Sequence, residues 1–262
     1  MGLFRALVIG LFIVCIPVAL ITTNIRVAIS EQSVYDYSVR HFGASEASGI
    51  PESELIRANG EIRDYLADGD GALSITVVNN LGVEESLFNV RETAHMADVR
   101  DLVQGMFSVQ VVALALMLFL AVVMLVLWPP RALAAATLYG SLLTGGSLGV
   151  VGIVAASGFD SAWSQFHVIA FANDFWLLNP RTDHLIQMFP ESFWLQITSF
   201  IGILILVEAT VIAIASTFYL RLSRSREEGV DKPRPDLAGG PGHGRQRAEA
   251  GRPRRASEPP IG

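Results

Sequence analysis

The sequence predicts an α-helical integral membrane protein with four transmembrane helices, a small α+β extracytoplasmic cap and a disordered C-terminal tail. Hydrophobic residues make up 51% of the 262 residues and charged residues only 17%, and the charges avoid several long blocks. This profile is typical of membrane proteins. A bilayer core about 30 Å thick needs roughly 20 apolar residues per spanning helix. Four blocks are long enough, and we expect transmembrane helices over residues 1–22, 103–128, 132–157 and 195–220.

The first apolar block has a basic residue, Arg5, near its start, as a secretory signal would. It lacks a small-x-small cleavage site, so we interpret residues 1–22 as a retained membrane anchor. Cys15, the single cysteine of the chain, lies inside this block. It is expected to pack within the helix, and one cysteine excludes a disulfide framework.

Basic residues in the short flanking segments predict the orientation of the chain. Arg5 precedes the first helix, Arg131 lies between the second and third helices, and Arg221 follows the fourth. The start of the first helix, the turn between the second and third helices and the end of the fourth helix are therefore expected in the cytoplasm. The segment 23–102, which carries 14 Asp and Glu against 6 Arg, and the loop 158–194 are then expected outside.

Two segments outside the apolar blocks are assigned to the cytoplasm. Residues 129–131 are expected to form a tight turn. Residues 221–262 are rich in Pro, Gly, Arg and Glu, show no apolar period, and carry 10 Lys and Arg against 6 Asp and Glu. We expect this tail to be disordered and to contact anionic lipid head groups through its positive charge.

The segment 23–102 shows helical and strand patterns in turn. Residues 51–69 place apolar side chains on one helical face between a proline and a glycine. Residues 72–78 alternate apolar and polar side chains, and a strand pattern resumes at 86–90 after turn residues at 79–82. The segment is too small to hold a large core alone, so we expect a cap that packs on the membrane domain.

Two histidines are expected on the same side of the membrane. His95, in the stretch TAHMADVRDL, lies just before the apolar run that begins at Val103. We place it in or just before the first turn of the second transmembrane helix, where the helix dipole disfavours the imidazolium ion. His167 lies in the loop 158–194 at a similar depth. A neutral imidazole can act as a general base, although His95 alone would also suit a head-group anchor.

The loop 158–194 surrounds His167 with aromatic rings and a few polar side chains. An apolar wall with a few polar groups is how a site for a lipid-bearing substrate is lined. Aromatic residues at an interface also anchor proteins without any further role. Asn173 and Asp183 are expected either to orient the imidazoles or donate to an oxyanion, or to hold the loop by local hydrogen bonds. The candidate site residues are His95, His167, Asp98, Phe166, Phe171, Asn173, Trp176 and Asp183.

Two motifs resemble a known family. The stretches HMADV at 95–99 and FHVIAFANDFWLLNPRTDHLIQMFP at 166–190 are similar to motifs of the Lit-type lipoprotein intramolecular transacylases, which are four-span bacterial membrane proteins. The resemblance covers about residues 1–222 and is strongest in these two segments and in the spacing between them. The basic tail lies outside the pattern.

The resemblance implies an acyltransferase of the bacterial cytoplasmic membrane. With the orientation expected from the basic flanking residues, both termini lie in the cytoplasm and the active site lies at the extracytoplasmic face. Such enzymes move the sn-2 acyl chain of a diacylglyceryl lipoprotein to the α-amino group of its own N-terminal cysteine, which leaves a lyso-form lipoprotein. By resemblance, His95 and His167 are the catalytic pair. The expected partners are the diacylated lipoprotein and membrane lipid. We expect a monomer that uses no cofactor, no metal and no nucleic acid.

The implied reaction suits two histidines. An α-amino group with a pKa of about 7.7–8.0 is mostly protonated at neutral pH, so a neutral imidazole can accept a proton while the amine attacks the ester carbonyl. The second imidazole can stabilise the oxyanion or protonate the departing glycerol oxygen. Nucleophile and ester belong to one molecule, and well-oriented reactions of that kind reach effective molarities of about 10⁵–10⁸ M. No protein nucleophile is then needed, and the sequence leaves open which histidine is the base.

Two other functions fit parts of the sequence. A metal-dependent membrane hydrolase would combine both histidines with Asp98 or Asp183, although no H-E-x-x-H or other compact ligand spacing is present. A non-enzymatic extracytoplasmic sensor or transporter-associated subunit would need only the cap and the loop. Glu208 lies near the middle of the fourth helix. We expect it either to face the bundle interior with a function or to bond a Ser or Thr of the third helix.

Overall fold

Four of the helices in the computed structural model are long and apolar enough to span a membrane, which confirms the predicted fold class. The structure describes the backbone of residues 2–230 and the side chains of residues 2–225. The four long helices are separated by short helices and one small sheet. In chain order the elements are α1 (Gly2–Ser30), α2 (Gln32–His41), α3 (Ala44–Ser48), α4 (Glu52–Asp68), β1 (Thr76–Val78), β2 (Glu84–Ser86), α5 (Val90–Leu127), α6 (Pro130–Ala156), α7 (Phe159–Ala170), α8 (His184–Met188) and α9 (Glu191–Val230).

Helix α1 packs against both α5 and α6. Its contact with α6 is close because Gly140 has no side chain: a Cβ atom there would lie 2.4 Å from Cδ1 of Ile16. At one end of the bundle, the Arg5 guanidinium lies 5.7 Å from the centre of the Trp128 ring. The start of α1 and the α5–α6 turn therefore share that end, and the cap lies at the other, which we call the cap end.

Both α1 and α5 are longer than the spans expected from hydropathy. Helix α1 continues to Ser30, and α5 begins at Val90 instead of near Val103. The Asn89 side chain accepts hydrogen bonds from the backbone N–H groups of Arg91 and Glu92, and the Glu92 carboxylate accepts one from the N–H of Asn89. This capping box starts the helix in a polar stretch, because a helix start depends on such caps and not on an apolar run.

The cap consists of α2, α3, α4 and an antiparallel pair of short strands. Strands β1 and β2 pair with Thr76 opposite Ser86 and Val78 opposite Glu84. The second strand lies earlier than the expected 86–90, because the Asn79 side chain accepts from the N–H groups of Leu81 and Val83 and tightens the turn. Buried side chains of the cap segment form one core with Met96 of α5, Met188 of α8 and Phe193 of α9. The cap residues of this core include Leu55, Ile62, Ile75, Val77 and Leu87.

The expected loop 158–194 contains two helices, α7 and α8. Gly158 separates α6 from α7 with a φ of +152°, a conformation that residues with a side chain rarely adopt. At the other end of the chain, α9 continues to Val230, beyond the span that we expected to end at 220, since its Arg and Glu residues favour helix without being apolar. The rest of the predicted disordered tail, residues 231–262, lies outside the described residues.

Candidate active site

The cap end of the bundle brings His95 and His167 together. His95 lies in the second turn of α5, one turn later than expected, and His167 lies in the last turn of α7 instead of in a loop. The centres of the two imidazole rings are 5.9 Å apart, with an angle of 37° between the rings. Both residues are buried, with 7% and 8% of their surfaces exposed. Residues 72 positions apart in sequence therefore share one site.

Four aromatic side chains form a wall around His167. The ring centres lie 4.8 to 5.6 Å from the centre of the imidazole. One of them, Phe171, also contacts His95 edge-on at 5.1 Å. The site therefore has the apolar lining expected for a lipid-bearing substrate. The four residues are Trp163, Phe166, Phe171 and Trp176.

His167 has a defined proton arrangement. Its Nδ1 lies 2.8 Å from the carbonyl oxygen of Trp163, one helical turn earlier. A carbonyl oxygen can only accept, so Nδ1 carries the hydrogen and Nε2 of the neutral ring carries a lone pair. Burial lowers the pKa of His167 below its usual range, and the bond to Trp163 opposes this only in part. The neutral ring, with Nε2 able to accept a proton, is thus the favoured form.

His95 has fewer polar neighbours than His167. Among the described residues, no group pairs with its buried Nδ1 atom. Burial of an imidazole favours the neutral ring over the charged one. The helix dipole contributes less than expected from the sequence, because its effect is confined to the first turn and His95 lies in the second.

Two further candidate residues bond to each other beside the pair. The Asn173 amide donates a hydrogen bond of 2.9 Å to a carboxylate oxygen of Asp98, which lies one turn after His95 on α5. The carbonyl of Asn173 accepts from the indole N–H of Trp176 at 3.0 Å. This chain of bonds fixes Trp176 against His167, so Asp98 and Asn173 position the aromatic wall relative to α5.

Asp183 has a different environment from the other candidates. It is buried, and its carboxylate accepts from the Asn89 amide at 3.1 Å and from the backbone N–H of Asn179 at 2.7 Å. It thereby joins the start of α5 to the loop between α7 and α8. These contacts match the loop-holding alternative considered for Asp183.

Sequence reasoning missed one residue of the site, Trp163, and one buried residue at the start of α5, Glu92. Trp163 contacts His167 through both its carbonyl and its ring, and its position one helical turn before His167 was the available signal. Glu92 is only 1% exposed and accepts from the backbone N–H of Leu185 at 2.7 Å. The Asn-x-x-Glu pattern at 89–92 signalled its role as a cap, but its second bond, to Leu185, depends on the tertiary fold.

The structure also bears on two other expectations. Among the described residues, no group of three or more His, Cys, Asp or Glu side chains is placed to hold a metal ion.

Glu208 accepts a hydrogen bond of 2.7 Å from the Asn24 amide of α1. This partner comes from the first long helix, whereas one of our two alternatives for Glu208 was a bond to a Ser or Thr of the third.

Fold and site together define a membrane-integral helical protein whose buried histidine pair is suited to acid–base chemistry. The model of the family described as lipoprotein intramolecular transacylase Lit matches residues 10–194, which is most of the chain. The protein therefore belongs to the Lit family and is an acyltransferase that acts on lipoproteins. The interpretation as a non-enzymatic sensor or transporter-associated subunit is wrong.

Solved structures support the same fold. The in meso structure of the membrane integral lipoprotein intramolecular transacylase Lit from Bacillus cereus superposes with a TM-score of 0.73 at 18% identity, over 86% of this chain and 100% of that one. Two structures of the same protein with one histidine replaced by arginine or alanine each give a TM-score of 0.70 at 18% identity. They cover 86% of this chain and 96% and 97% of theirs. No curated protein matches the chain.

Proposed function

We propose that this protein transfers the sn-2 acyl chain of a diacylglyceryl lipoprotein to the α-amino group of the lipoprotein's own N-terminal cysteine, with His95 and His167 as the acid–base pair. The product is a lyso-form lipoprotein. The observation that carries the proposal is the 5.9 Å separation of two buried imidazole rings in a member of the Lit family. A separation of that size allows both rings to touch one reacting carbonyl.

His167 is the proposed base. The bond from Nδ1 to the Trp163 carbonyl leaves Nε2 free to accept, and the lowered pKa keeps the ring neutral at neutral pH. The substrate amine, with a pKa of about 7.7–8.0, attacks in its neutral form and loses one N–H proton to Nε2 as the new N–C bond forms. The same proton then passes to the glycerol oxygen as the ester C–O bond breaks, so no external proton is needed.

His95 is the proposed partner of the developing oxyanion. Its ring centre lies 5.9 Å from that of His167 and, when neutral, the ring carries one N–H group. A hydrogen bond from that group strengthens as the carbonyl oxygen gains charge in the transition state, most of all in a site that excludes water. The burial of His95 and the edge-on ring of Phe171 support such exclusion.

The remaining features of the proposal concern location. We propose that the cap end faces outward from the bacterial cytoplasmic membrane and that both termini lie in the cytoplasm. The positions of Arg5, Arg131 and Arg221 support this orientation. We propose a monomer in contact with membrane lipid, because the histidine pair comes from two helices of one chain.

Mass spectrometry of a lipoprotein N-terminus tests the proposal. Co-expression of this protein with a diacylated lipoprotein is expected to yield the lyso form, with the acyl chain on the cysteine nitrogen. The His95→Ala and His167→Ala variants should give no product while still inserting in the membrane. His41→Ala is the matched control, since His41 is exposed on α2 and stacks on Tyr37. Transfer of an sn-1 chain, or normal turnover in either active-site variant, would contradict the proposal.

A further inference from the structure

Helix α7 has an apolar edge that its neighbours leave exposed. At about 100° per residue, Ala162, Phe166 and Ile169 fall on one edge of the helix, while Asp160 and Ser164 fall on the opposite one. Phe166 is 44% exposed and Ile169 is 84% exposed. We call Ala162, Phe166 and Ile169 the apolar edge. Val168, which is exposed among the polar positions, is an exception to the pattern.

Both ends of α7 are tied to the ends of transmembrane helices. Only Ser157 and Gly158 separate α7 from α6. The Cα atoms of Ala156 and Phe159 are three steps apart and can be separated by at most about 11 Å, so α7 begins close to the depth at which α6 leaves the membrane. Further along α7, the Trp163 indole stacks on that of Trp194 in the first turns of α9, with ring centres 5.0 Å apart. Helix α7 therefore lies at the membrane boundary along this length.

Exposed apolar side chains also lie at the cap-end termini of two of the candidate membrane-spanning helices, α6 and α9. In the last turn of α6, Ile153 is 72% exposed, and at the start of the apolar part of α9, Leu195 is 43% exposed. Residues 161–173 contain no Asp, Glu, Lys or Arg. With 12 residues, α7 is about 18 Å long, too short to span a bilayer core of about 30 Å. A short helix with an apolar edge, a polar edge and a single charged residue, Asp160, suits the interface plane.

We propose that α7 is an interfacial helix whose apolar edge is buried among lipid acyl chains at the cap end, so that His167 is held at the depth of the glycerol esters. The occupant of the edge is the bilayer itself. His167 lies on the side of α7 that faces His95 of α5, next to Trp163, so a lipid ester at that depth reaches the site by lateral movement. The catalytic consequence rests on the proposed function, but the depth of α7 does not.

Depth-dependent fluorescence quenching tests the position of α7. In a Cys15→Ala background, single cysteines at Ile169→Cys and Ser164→Cys are labelled with the same fluorophore, and the protein is placed in nanodiscs. Lipids with a nitroxide on the acyl chain should quench the label at 169 more than lipids with a nitroxide on the head group. The order should reverse at 164. Equal profiles at the two sites would overturn the proposal, as would protection of site 169 from both quenchers, the result expected if a second copy covered the edge.

Turnover provides a separate readout. The Ile169→Glu variant should lower turnover of a bilayer-embedded substrate about two- to fivefold, the effect expected for a charge forced into the interface, and Ser164→Glu should change it less. Detergent-dispersed substrate should remove the difference. Equal losses in bilayer and detergent would indicate local misfolding and overturn the proposal. If sites 164 and 169 show the same quenching depth while the protein still turns over substrate, only the interfacial helix is refuted. If the two sites differ in depth as expected but the protein transfers no acyl chain, only the proposed function is refuted.

Discussion

The close approach of the two histidines predicts that replacing both slows acyl transfer no more than replacing one. Rings whose centres lie 5.9 Å apart can act on one reacting centre. Loss of the base in His167→Gln, or of the oxyanion hydrogen bond in His95→Ala, is expected to slow transfer by about 10²–10⁴-fold. Each loss corresponds to about 2.7–5.5 kcal/mol of barrier. Independent groups would lose about 10⁴–10⁸-fold together, whereas two groups acting as a unit would lose about as much as the worse single variant.

The assay follows the conversion of a purified diacylated lipopeptide to its lyso form by mass spectrometry. Wild-type protein, both single variants and the double variant are compared in the same lipid at the same protein density. Residual transfer in the double variant should match that in the weaker single variant, because the amine and ester remain adjacent in one substrate molecule. Multiplicative losses in the double variant would refute a shared reacting centre, and with it the proposed division of roles.

Three further predictions concern pH dependence and stability. Because burial lowers the pKa of His167, log turnover should fall with a slope that approaches one below about pH 7.5, as the substrate amine protonates. A slope that approaches two below about pH 6.5 would mean that His167 titrates like an exposed histidine. Gly140→Ala should destabilise the detergent-solubilised protein by about 1–3 kcal/mol, because the added Cβ is forced against Ile16. Gly146→Ala is the control, since the space around Gly146 is open. Equal midpoints of the two variants in thermal unfolding would contradict this prediction. Glu92→Ala should cost about 1–3 kcal/mol for each of the two backbone N–H groups it leaves unpaired, and an unchanged unfolding midpoint would show that water replaces the carboxylate.

The helical elements were predictable to different degrees. The four spans follow from apolar blocks, because a chain in hydrocarbon must satisfy every backbone polar group within a helix. The ends of the helices do not follow from hydropathy. Helix α5 begins at Val90 because of a capping box, and α7 occupies a stretch that we expected to be a loop. The ends of helices are signalled by a few polar residues, and such signals are weaker than a run of 20 apolar side chains.

The candidate site was predictable as a set of residues but not as an arrangement. The motifs around His95 and His167 indicated two histidines at one membrane face. The proton arrangement of His167 depends on the Trp163 carbonyl, one turn earlier in a helix that hydropathy did not predict. Asp183 belonged to the predicted set, yet its bonds to Asn89 and Asn179 make it part of the loop anchor.

The sequence by itself determined that this chain is a four-helix membrane protein, and its motifs indicated the family and the histidine pair. Composition is sufficient for the fold class because the bilayer acts as a solvent that selects apolar blocks one helix at a time. Only the tertiary structure decided that the rings of His95 and His167 lie 5.9 Å apart and that Glu208 bonds to Asn24. Both pairs join distant parts of the chain, and their geometry depends on how the helices pack and where each helix begins, which local sequence does not specify.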